Sequence, residues 1–107
     1  MNKEAFSQMK NSAIFISTAR GPVTVEADLI NALDTGQIAG AGLDVFEEEP
    51  TPNNNKLFNR DNVVVTPHMA GTTIDTSYRR IAFAYENIQR VSRGEKPLAI
   101  INTDFQN

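Results

Sequence analysis

The chain has 107 residues, a length for one domain at most, with 40% hydrophobic residues, 7% aromatic and a formal net charge of −3. This composition excludes a disordered chain, and the slight negative charge gives no electrostatic case for nucleic acid or an anionic membrane surface. With no cysteine and a single histidine, His68, disulfides, thiolate metal sites and histidine-rich metal sites are excluded too.

No uninterrupted apolar stretch is long enough to span a bilayer, and the first residues, Met1 to Phe6, lack the apolar core of a secretion signal. The expectation is a cytoplasmic protein without membrane contact. Residues 3–9 have short helical character, with Ala5, Phe6 and Met9 available for one face. Ala13-Ile14-Phe15-Ile16-Ser17 is then a compact run rich in β-branched and aromatic residues. Its brevity and lack of alternation predict a strand buried on both faces, as in a parallel sheet.

After the break at Ala19-Arg20-Gly21-Pro22, residues 26–34 carry Ala27, Ile30 and Leu33 as a helical stripe, with Leu29 a further candidate for it. Thr24 is the expected N-cap, acids at 26 and 28 suit the positive helix end, and Gly36 is placed to stop it. Ala39 to Phe46 is the second predicted strand, with small residues at 39–42 that permit close backbone packing. Strand, helix and strand in this order make one crossover and hence a parallel sheet.

Glu47 to Asn62 reads as a long surface loop with Pro50, Pro52 and an asparagine triplet, and with a helical turn at Lys56-Leu57-Phe58. Loops this long inside compact domains are often functional. Val63-Val64-Val65 is a third strand, ended by Pro67. Thr72 or Thr73 then caps a helix reaching about Arg93, with Ile74, Tyr78, Ile81, Tyr85 and Ile88 on one face. Gly94 and Pro97 end it, and Leu98 to Ile101 are apolar enough to pack on something.

Arg20, Glu49 and His68 each lie just beyond a predicted strand. Ligands of open parallel sheets bind beyond the carboxyl ends of the strands, so these three are potential neighbours. Each has a plainer reading. Arg20 before Gly-Pro fits a solvated turn, Glu49 belongs to the acidic run 47–49, and His68 fits a structural histidine after a proline. Imidazole is, however, the side chain suited to acid–base work near neutrality.

Three stretches, Ser17-Thr18-Ala19-Arg20-Gly21-Pro22-Val23, Gly40-Ala41-Gly42-Leu43-Asp44-Val45-Phe46-Glu47-Glu48-Glu49-Pro50 and Thr66-Pro67-His68-Met69-Ala70-Gly71, together resemble the D-isomer-specific 2-hydroxyacid dehydrogenases. The resemblance runs from about residue 2 to about residue 102. It implies an α/β fold, the C-terminal part of a Rossmann-like doubly wound parallel sheet with about three strands and a long C-terminal helix. Residues 1–102 are then part of an NAD(P)-binding domain and residues 103–107 a tail. The implied activity is hydride transfer between NAD or NADP and a small 2-oxo or 2-hydroxy acid.

By the same resemblance, Arg20 binds the substrate carboxylate and keto oxygen, a task that suits a bidentate guanidinium fork. His68 is the general acid/base, and Glu49, the last acid before Pro50, pairs with it and orients its ring. Thr18, Ala19, Arg20, Asp44, His68 and Gly71 line the nicotinamide end of the cofactor site. A plainer role for Asp44 is capping and for Gly71 backbone conformation alone. No metal is expected, and the family's complete proteins are commonly homodimers.

The departures are local: Ser17 stands where many members have asparagine, Val25 where an acid or amide often caps the helix, and Thr103 where proline is common. The larger departure is that the chain holds no G-x-G-x-x-G turn for a pyrophosphate. The family's substrate domain and first βαβ units are therefore expected before residue 1, and the isolated chain is expected to be inactive. The alternative is a non-catalytic NAD-responsive module resembling the family's transcriptional corepressors.

Overall fold

The computed structural model describes residues 1–102, so the expected tail at 103–107 lies outside the described residues. The chain divides into two compact units, Met1–Ala70 and Gly71–Asn107.

The first unit is built on a parallel sheet of strands β1 (Ile14–Ser17), β2 (Gly40–Leu43) and β3 (Val63–Val65), in that spatial order. Residue size matters in the central strand. A Cβ on Gly40 would lie 2.7 Å from the Asn62 carbonyl oxygen, so the approach of β2 to β3 requires glycine there. Ser17 pairs with Leu43, and Leu43 with Val65. All three strands therefore release the chain at one height along the same edge.

Helices α1 (Lys3–Ser7) and α2 (Glu26–Asp34) supply the core of this unit. Phe6, Leu29, Leu33, Ile38, Leu43 and Leu57 belong to one buried cluster, and Phe15 meets Phe6 edge-on with centroids 5.3 Å apart. Removing these side chains from water is what favours the fold. The buried face of α2 is Leu29, Ala32 and Leu33, so the expected stripe is rotated: of its members Leu33 is buried, Ile30 half-buried and Ala27 exposed. Gly36, at φ 66°, turns the chain out of the helix.

Four further expectations need correction. Strands β1 and β3 are not buried on both faces, because Ile14, Ile16 and Val64 are 66%, 70% and 71% exposed. β1 is apolar on both sides, which hides alternation, but only one side of the sheet meets the core of this unit. Thr24 does not cap α2. It closes a short 3₁₀ turn at Gly21–Val23 through its N–H to the Gly21 carbonyl, and Val25 takes the cap position without a side-chain bond. The Thr24 hydroxyl is left buried without a partner. The second strand stops at Leu43 and does not reach Phe46, whereas Lys56–Phe58 do lie in a turn, with Leu57 buried as its anchor.

The second unit contains α3 (Ile74–Ser92), opened by the Thr73 hydroxyl, which accepts the Thr76 N–H at 3.1 Å. Gly94 at φ 74° follows its end. The stripe Ile74, Tyr78, Ile81, Tyr85 and Ile88 is present, yet α3 buries none of its residues. The expected packing of 98–101 is the fourth correction. Ile101 is 96% exposed, and the segment is held instead by the Leu98 N–H donating to Asn87 Oδ1 at 2.6 Å. Among the described residues no helix is long and apolar enough to cross a membrane.

Candidate active site

The common height of the strand ends sets the site. Beyond β1 lie Thr18, Ala19 and Arg20, beyond β2 lies Asp44, and beyond β3 lie Thr66, Pro67 and His68. Asp44 N–H still bonds Ser17 O and Thr66 N–H still bonds Leu43 O, both at 2.9 Å, so Asp44 and Thr66 extend the ladder as neighbours.

Asp44 is buried, at 3% exposure, and is fully engaged on one side. Its Oδ1 accepts the Thr66 hydroxyl at 2.5 Å and the Met69 N–H at 2.8 Å, while Oδ2 accepts the Ala70 N–H at 2.8 Å. The Thr66 bond, together with the two amides and the nearby His68, holds the Asp44 carboxyl below its ordinary value against the opposing effect of desolvation. Two consecutive amides on one acceptor make an anion-binding concavity, here occupied by the protein's own carboxylate.

His68 sits between this anchor and a second one. Its backbone is in the left-handed region, φ 50°, and its N–H closes a tight turn onto Thr66 O at 3.1 Å. A non-glycine residue there is uncommon. Nδ1 of the ring lies 2.7 Å from Glu49 Oε2. Of the three consecutive acids, Glu49 is the one that turns inward, because its Oε1 also accepts the Phe46 N–H at 2.9 Å. The His68 bond, then the Phe46 bond, with a weaker pull from Arg20, holds the Glu49 carboxyl below its ordinary value. An ionised carboxylate only accepts, so Nδ1 carries the proton of that bond and Nε2 is the nitrogen left for exchange.

Arg20 is exposed, and its guanidinium donates to its neighbour's carbonyl, Ala19 O, at 2.6 Å. It makes no ion pair with Glu49, although its charge is felt there. What brings it close is Gly21: a Cβ at that position would lie 1.7 Å from the Phe46 carbonyl oxygen, so only glycine lets the two loops touch. Thr18 and Ala19 lie exposed at the same strand end. Gly71 falls in the second unit. Its φ is not in the left-handed region, and an added Cβ would meet only the flexible Arg80 guanidinium, 3.3 Å away, so backbone conformation does not require glycine there.

Next to the His68–Glu49 pair opens a recess of 450 Å³, walled by Phe46, Pro50, Phe58 and Val65. Phe46 and Phe58 meet edge-on with centroids 5.5 Å apart. Sequence reasoning missed this apolar wall and missed Thr66. The wall joins residues far apart in the loop, which no local pattern reveals. Thr66 had a signal, a hydroxyl at a strand end, but its partner depends on register. No cluster of acids and histidine suited to a metal ion occurs among the described residues.

The family described as the NAD-binding domain of D-isomer-specific 2-hydroxyacid dehydrogenases matches residues 1–70. The chain belongs to this family. It is 46% identical over 104 residues to a glyoxylate reductase of Thermofilum pendens, covering 97% of this chain and 31% of that protein. With glyoxylate/hydroxypyruvate reductase B of an Enterobacter species it shares 43% over 102 residues, covering 95% and 32%. Among solved structures, a D-isomer-specific 2-hydroxyacid dehydrogenase of Xanthobacter autotrophicus with NADPH superposes at a TM-score of 0.83 and 45% identity, over 96% of this chain and 33% of that one. D-lactate dehydrogenase of Lactobacillus jensenii with NAD⁺ gives 0.84 and 32%, over 95% and 34%. The three strands and the long helix are thus a Rossmann-like portion of the dehydrogenase fold, and this chain spans about a third of the length of its relatives.

Proposed function

We propose that this chain forms part of an NAD(P)-dependent 2-hydroxyacid dehydrogenase and carries its acid–base pair and the nicotinamide end of its cofactor site. The observation that bears most weight is the bond from His68 Nδ1 to Glu49 Oε2 at 2.7 Å, formed where the strands end. In this reading residues 1–102 are a portion of an NAD(P)-binding domain, the substrate is a small 2-oxo or 2-hydroxy acid, and the complete protein is a cytoplasmic homodimer.

The nicotinamide cofactor, when bound, supplies or accepts the hydride. This chain's residues fit its nicotinamide end. Asp44 Oδ2 accepts only the Ala70 N–H in the structure, which leaves capacity for one N–H of a carboxamide. Thr18 and Ala19, exposed at the end of β1, and the segment from His68 to Ala70 provide backbone to line the ring. Ionised Glu49 fixes Nδ1 as a donor, so Nε2 gives a proton to the substrate's carbonyl oxygen and takes it back in the reverse direction. Arg20, exposed at the end of β1, has the guanidinium fork that suits a substrate carboxylate. Phe46 and Phe58 give the recess beside the pair an apolar wall.

The test is a chimera in which residues 1–107 replace the matching third of the Thermofilum pendens glyoxylate reductase. Glyoxylate-dependent NADH or NADPH oxidation is expected, and His68→Ala is expected to lower kcat by about 10²–10⁴-fold. A His68→Ala chimera as active as its parent overturns the reading. The isolated chain is expected to oxidise neither cofactor with glyoxylate, hydroxypyruvate or pyruvate.

A further inference from the structure

We propose that Asp44 is a positioning residue for His68: its buried carboxylate holds the turn Thr66–Ala70 in the shape that presents the imidazole to Glu49. His68 has φ 50°, a backbone region disfavoured for residues with a Cβ, so something outside the turn must hold it. The turn's own bond, His68 N–H to Thr66 O, closes only its first half. Residues 66–70 are all exposed and gain no support from burial. Asp44 supplies the external hold, accepting the Thr66 hydroxyl before the histidine and the Met69 and Ala70 amides after it. The hold is itself rigid, because Asp44 is buried and its N–H is tied to Ser17 O at 2.9 Å.

His68 is thus fixed by two carboxylates with separate tasks: Asp44 holds its backbone and Glu49 its ring. This deepens the proposed function, since it rests on that reading for the meaning of His68. The geometry can nevertheless be tested without turnover, so the two ideas fail separately.

The only histidine of the chain gives a single imidazole signal by NMR, and that signal reports when Glu49 protonates beside it. The charged groups bearing on Glu49 are His68 and Arg20, and the one bearing on Asp44 is His68. Asp44→Asn keeps one acceptor but turns an N–H₂ toward amide donors, so the clamp opens. Three results are expected in the 107-residue chain: an unchanged spectrum for α2 and β2, hydrogen exchange of Met69 and Ala70 faster by about tenfold or more, and a Glu49 titration moved up toward the ordinary carboxylate range. Loss of a negative charge nearby cannot by itself raise a carboxyl's value, so an upward move reports geometry. Thr66→Val, which removes one donor and no charge, is expected to act in the same direction but less, with Thr66→Ser restoring the parent profile. If Asp44→Asn unfolds the chain, the Thr66 pair decides. A folded variant whose Met69 and Ala70 amides loosen while Glu49 titrates as before makes Asp44 a structural acid only and overturns the proposal.

Discussion

Helices α2 and α3 are both amphipathic, yet they differ in what has become of their apolar stripes. In α2, Leu29 and Leu33 are buried against Phe6, Ile38 and Leu43. In α3, longer and with a more regular stripe, nothing is buried. A helix is stabilised mainly by packing its apolar face, and an isolated helix in water is marginal. The stability of this chain therefore resides in the first unit, which also holds Asp44, Glu49 and His68 together. A strong sequence pattern thus says which face wants a partner without saying where the partner is.

Four changes sharpen that contrast. The largest effect is expected from Gly21→Ala, since its methyl would stand 1.7 Å from a backbone oxygen. A loss of about 3 kcal/mol or more in urea unfolding is expected. Next comes Leu29→Ala, from a residue 1% exposed, at about 2–5 kcal/mol. Ile81→Ala is its control: at 68% exposure the same measurement should change by no more than about 0.5 kcal/mol. A larger loss at Ile81 would break the comparison. Thr73→Ala should cost helix α3 about 1 kcal/mol, read as lost helicity by circular dichroism, without moving the unfolding of the first unit.

The smallest change depends on pH. Glu49 is held below its ordinary value of 4.5, so its pairing contributes stability above that pH and loses it as pH falls through the lower folded value. Glu49→Gln should therefore be less stable than the parent at neutral pH, and the gap should close in acid. Because both side chains are well exposed, salt should narrow it as well. A gap that widens on acidification would contradict the pairing.

Much of the fold was legible in the residues. The strand read at 13–17 and found at 14–17, the helix at 26–34, the strand at 63–65 and the helix with a cap at Thr72 or Thr73, found at Thr73, follow from apolar runs, helical spacing, a hydroxyl cap and well-placed glycines. Arg20, Glu49 and His68 stood out as candidates because they follow strands, and the choice of Glu49 over Glu47 and Glu48 came from resemblance alone. The errors share one cause. Thr24 satisfied every local requirement of a cap, but the chain used it to close the preceding turn.

The sequence by itself determined which elements form and that their ends carry Arg20, Asp44 and His68, because backbone preference and apolar periodicity are local properties. Tertiary structure alone decided what those residues touch. The pairing of Leu43 with Val65 is a non-local register, and it sets Asp44 beside Thr66 and under the turn that holds His68. The Phe46 amide, by binding Glu49, decides which of three acids meets the ring. Burial was likewise decided late: the same apolar lettering lies covered in α2 and bare in α3, because covering a stripe takes a second surface that no stripe encodes.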